Sequence, residues 1–118
     1  MVCIIMSTLA DKLRAARRIE IKVGDLSFFG TRATPEQFSR YATQSSTDAE
    51  VCRVHIDDWS GVKESDLIEG GSKDAVKFDR DTFFEVIGEK PDWYKPIVAE
   101  ILKDAQERFV ARAANEKK

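Results

Sequence analysis

Apolar positions along this chain recur first at helical spacing and then at strand spacing. Leu9, Leu13 and Ala16 share one helical face, Lys12, Arg14, Arg17 and Arg18 occupy the others, and Ser7 or Thr8 with Asp11 supplies the capping pair. A helix this short needs something to dock on. From Arg18 the period drops to two: Ile19, Ile21 and Val23 point one way, Glu20 and Lys22 the other. Gly24-Asp25 supplies a turn in which Gly24 takes positive φ, and the run Leu26 to Thr31 answers the first. The pair predicts a β-hairpin with Phe28 and Phe29 on opposite faces.

Thr34-Pro35-Glu36-Gln37 is the clearest helix start, with Thr34 as N-cap, Pro35 in the first turn and Gln37 closing a capping box. Phe38, Tyr41 and Ala42 form its apolar side, and Gln44-Ser45-Ser46 breaks it. Thr47-Asp48-Ala49-Glu50 opens another helix, expected to reach about Trp59 because Cys52, Ile56 and Trp59 fall on one helical face beside Val51, Val54 and His55. Gly61 then ends it, with Val62 folding back against it. The polar stretch from Lys63 to Ala75, with Gly70-Gly71, predicts a loop, and the alternate residues Val76 and Phe78 a short strand or an extended crossing. Asp79 or Asp81 caps a helix through Ile87, and Gly88 stops it. Pro91 and Pro96 are read as bracketing a turn that carries Trp93 and Tyr94. Ile97, Ile101, Ala105 and Phe109, backed by Val98 and Leu102, then mark the last and most regular helix. The expected fold class is α+β, mostly α-helical. It is one small domain over residues 1–118 with a β-hairpin in the N-terminal half and four to five helices, and with disorder expected over 1–6 and 113–118.

Composition narrows the function classes. At 118 residues the chain is one domain with a modest core, and its 19 basic and 21 acidic residues leave a formal charge of -2. That balance disfavours nucleic acid as the main partner, because phosphate binding needs a net basic face. Cys3 and Cys52 belong to no CxxC or Cys/His pattern and read as idle thiols of a reducing cytosol. Val2-Cys3-Ile4-Ile5 is too short for a signal segment or a membrane span, and Met6 is an alternative start.

No constellation of catalytic residues stands out. His55, Asp57 and Asp58 form the single His–carboxylate cluster, but one His is too few for a metal cage and the two Asp fall on different helical faces. Cys52 and His55, three apart, lack a third group to orient them as a dyad. Glu64, Asp66, Glu69 and Asp74 miss the register of a calcium loop. Lys12, Arg14, Arg17 and Arg18 are a weak nucleic-acid candidate beside Asp11 and Glu20. No catalytic, cofactor or metal site is expected, and the protein reads as a binding protein. The aromatic residues are many for so small a core, so some are expected at an interface. Phe29, Trp59, Trp93 and Tyr94 are the candidate partner-binding residues.

The hairpin, the Thr34-Pro35-Glu36 helix, the Trp59-Ser60-Gly61-Val62 step, Val76-Lys77-Phe78-Asp79 before Phe83-Phe84, and the closing helix from Ile97 to Arg108 together resemble the tail assembly chaperones of long-tailed bacteriophages. The resemblance spans Ile19 to Arg112. It implies a non-enzymatic protein that coats the helical tape measure protein, keeps it soluble and helps recruit tail tube subunits, with self-association along the client. It also implies action in the host cytoplasm, absence from the mature virion and, in many members, a frameshifted extended product, with which the Lys117-Lys118 ending is compatible. The competing readings are a tail-completion or head–tail connector protein that stays in the virion, and a small DNA-binding regulatory module.

Overall fold

The computed structural model describes residues 8–44 and 46–116, with side chains to residue 112. The proposed start at Met6, Cys3, the Ser7 cap and residues 117–118 therefore lie outside the described residues. The first helix, α1 (Leu9–Ala16), is capped by Thr8, which exchanges hydrogen bonds with Asp11. The alternating segment forms the expected hairpin, β1 (Arg18–Val23) and β2 (Leu26–Thr31), in antiparallel register with Ile21 opposite Phe28. Its turn holds Gly24 at φ 61°. Helix α2 (Pro35–Thr43) starts on the Thr34–Gln37 capping box, and α3 (Asp48–His55) starts on Thr47.

Here the chain departs from the helix expected to reach Trp59. α3 stops at His55, and β3 (Ile56–Ser60) pairs antiparallel with β2, giving a three-stranded sheet ordered β1-β2-β3. The helix-like spacing of Ile56 and Trp59 comes from a bulge. Phe29 faces Asp58 and Gly30 faces Ile56, so Asp57 is an extra residue on β3. That insertion brings Ile56 and Trp59, three positions apart, onto the same buried face and reproduces helical spacing inside a strand.

The polar segment 63–75 contains a single turn of helix, α4 (Glu64–Leu67), and an isolated bridge from Lys63 to Ala75. Val76 to Asp79 crosses the molecule without forming a strand, pinned where the Trp59 indole N–H donates to the Val76 carbonyl at 2.7 Å. Asp79, not Asp81, caps α5 (Arg80–Ile87) through the Thr82 N–H. The expected turn around Trp93 and Tyr94 is instead the start of α6 (Pro91–Glu116). Pro91 occupies the first helical position, where its missing N–H costs nothing, and Pro96 is accommodated inside the helix. Backbone helix continues through residues 113–116, expected to be disordered.

The fold is therefore α+β, with six helices among the described residues and three strands in the N-terminal half. Helices cover one face of the sheet, and the short dimension of the molecule is 23 Å, about the thickness of two layers. Phe28 meets Trp93 at 5.3 Å between ring centroids. Trp59 stands edge-on to Phe78, Phe83 and Trp93, and Ile87, Ile97 and Ile101 fill the space around them. No helix among the described residues is long and apolar enough to cross a membrane.

Candidate functional site: an apolar surface at the end of the core

Two of the four aromatic candidates are core residues. Trp59 and Trp93 are 6% and 5% exposed, and each contacts several rings. Tyr94 is half-buried against the same core. Phe29 is half-buried on the opposite face of the sheet, between Glu20 and Asp58. The four do not form one surface.

The chemical candidates are committed to structure. His55 is 1% exposed; its Nδ1–H donates to the Thr31 carbonyl at 3.0 Å, and the Tyr41 hydroxyl donates to Nε2 at 2.8 Å. Burial lowers its pKa, so the ring is neutral and both nitrogens are in use. Burial pushes the Cys52 thiol up to about 12, which leaves it protonated and unreactive; its neighbour is the Tyr94 carbonyl. Asp57 takes a two-pronged ion pair from Arg18, at 2.5 and 2.8 Å, that ties β1 to β3 across β2. Among the described residues no group of three His, Cys, Asp or Glu side chains is placed to hold a metal.

The basic first helix is similarly occupied. Arg14 pairs with Asp11, Arg17 donates to the Leu13 carbonyl and Arg18 is held by Asp57. The arginines thus serve caps and strands, which leaves little of a phosphate-binding face.

The exposed large apolar residues among those described are Leu9 and Leu13 on α1, Val54 on α3, Ile68 in the 63–75 segment, and Phe109 and Val110 on α6. α1 buries nothing, and Leu9 and Leu13 are 73% and 53% exposed. On α6 the line Ile97, Ile101, Ala105 is buried, but its next member, Phe109, is 59% exposed and Val110 is exposed beside it. The stripe outruns the core. Where it does so, Ala33, Pro35 and Phe38 from the start of α2 face Ala105, Arg108, Phe109, Ala111 and Arg112 across a groove of about 370 Å³. Helical spacing predicts Phe109 as the end of the stripe; that the start of α2 would leave it uncovered had no local signal. Compared with models of known protein families, curated proteins and solved structures, the chain has no significant match.

Proposed function

We propose that this protein is a non-enzymatic binding protein that masks a helical client with apolar side chains kept on its own surface. The observation that carries the reading is the α6 stripe, which continues one turn past the core to leave Phe109 uncovered beside a groove. The bare apolar side of α1 adds a second such surface. Laying an amphipathic helix on either surface removes apolar area from water, worth about 25 cal/mol per Å², and helix-in-groove contacts read anchors at helical spacing. The occupied state of His55 and the unreactive thiol of Cys52 favour binding over catalysis.

The resemblance to tail assembly chaperones gives the client a form: the tape measure protein of a long-tailed phage, kept soluble in the host cytoplasm while tail tube subunits are recruited. Copies would associate along the client, and the chaperone would be absent from the mature virion. Co-expression with the long helical reading frame downstream of this gene is the test. The client, insoluble alone, is expected to become soluble and co-purify, and Phe109→Glu or Leu13→Glu to lower its recovery without changing the thermal midpoint of the free protein. A client that stays insoluble in the presence of wild-type protein overturns the reading.

A further inference from the structure

Two surfaces of this chain carry opposite charge around an exposed apolar centre. The first is the groove at the far half of α6. Its floor is Ala33, Phe38, Ala105 and Phe109, and Arg108 and Arg112 stand on it one helical turn apart, with no carboxylate in the lining. Of the carboxylates close to it in sequence, Asp104 pairs with Arg32 at 3.6 Å and Glu36 with Arg40 at 2.5 Å, while Glu107 lines a separate hollow with Lys103, Gln106 and Val110. Neither Arg108 nor Arg112 forms an ion pair with another described side chain.

The second surface is the knob made by residues 63–75. Ile68 is 61% exposed, with Glu64, Asp66 and Glu69 around it in sequence and none of these three ion-paired among the described residues. Lys63 and Lys73 stand towards the two ends of the segment, away from Ile68 in sequence. The knob is held in shape by its own hydrogen bonds. The Ser65 N–H donates to the Ser72 carbonyl at 2.9 Å, the Glu64 N–H to the Asp74 carbonyl at 3.1 Å, and the Ser72 N–H to Glu64 Oε1 at 3.1 Å. Gly71 packs so tightly that a Cβ there would sit 2.8 Å from the Glu64 backbone. A surface already ordered loses little conformational entropy on docking.

We propose that the Ile68 knob of one copy seats in the α6 groove of a second copy, with Glu69 and its acidic neighbours facing Arg108 and Arg112. Charge favours this occupant over the exposed apolar side of α1: Leu9 and Leu13 arrive with Lys12 and Arg17 beside the Asp11–Arg14 pair, a net positive set that would face cations with cations. The contact joins two different patches of the same chain, so it either closes reciprocally in a two-fold dimer or runs head-to-tail into a ring or an open series. The contact does not depend on the client reading, but it fills the same α6 groove, so in an assembled copy the client is left the bare face of α1.

Sedimentation velocity of the protein alone at low salt, from about ten micromolar to about one millimolar, tests the proposal. Wild-type mass is expected to rise above 13.4 kDa with concentration. Glu69→Arg and Arg108→Glu/Arg112→Glu should each weaken association about tenfold or more while keeping the wild-type melting temperature. An equimolar mixture of the two variants, in which a basic knob meets an acidic groove, should restore it. Wild-type protein that stays at 13.4 kDa throughout overturns the contact but leaves client binding standing if the co-expression result is positive. Association that survives both charge variants, that is lost with Leu13→Ser instead, or that the mixture fails to restore also overturns it.

Discussion

His55 sits where α2, α3 and the end of β2 meet, and it holds the three together through a neutral ring. Its pKa is lowered, burial being the larger cause and the Thr31 carbonyl opposing it. Between the folded and unfolded values the unfolded chain binds more protons, so stability is constant above the ordinary His pKa of about 6.5 and falls as pH drops below it. The urea midpoint of wild-type protein should therefore decline from pH 7 to pH 5, and His55→Gln should flatten that decline while lowering the midpoint at pH 7. Tyr41→Phe leaves Nε2 buried without its donor and is expected to cost about 1–3 kcal/mol by denaturant titration at pH 7. The sequence marked His55 as a lone histidine beside apolar neighbours, but Tyr41 and Thr31 lie 14 and 24 residues away, so its partners had no local signature.

At the scale of elements, the hairpin turn and four of the helix starts that local hydrogen bonding decides were legible. Thr8, Thr34, Thr47 and Asp79 each accept a backbone N–H of the first turn they cap, and the Gly24 turn fixes the hairpin. Elements that depend on distant partners were not. β3 exists because β2 offers it a ladder, and its bulge gives Ile56 and Trp59 the spacing a helix would give them. Trp93 was read into a turn because two prolines flank it, whereas its ring is held in a helix by Phe28 and Trp59 from the sheet. The same bulge explains Gly30, where a Cβ would lie 1.9 Å from the His55 carbonyl oxygen. Gly30→Ala should push β2 and the α3–β3 junction apart and lower stability by about 3 kcal/mol or more in urea unfolding. The two kinds of helix face separate as sharply. Ile97→Ala, within the core, should cost about 2–5 kcal/mol, whereas Leu9→Ser and Leu13→Ser should each stay within about 0.5 kcal/mol of wild type in the same titration.

For the whole molecule, the aromatic surplus of the sequence is absorbed by a core that takes Phe28, Trp59, Phe78, Phe83 and Trp93 together. The exposed large apolar residues lie instead outside it, on Leu9 and Leu13 of α1, Val54 of α3, Ile68, and Phe109 and Val110 in the last third of α6. Distribution of this kind is a property of the assembled fold, since it depends on where the start of α2 meets α6. The sheet has one more consequence, in time rather than space. β1 and β2 are joined by a two-residue turn and close locally, within about 1–10 μs for an isolated hairpin, whereas β3 can pair only once α2 and α3 have brought it back to the open edge of β2. The hairpin is thus the natural nucleus and β3 the latecomer. In stopped-flow refolding, Ile21→Val should chiefly slow folding, and Ile56→Val should chiefly hasten unfolding, so that a strand in the middle of the chain governs how long the native state lasts.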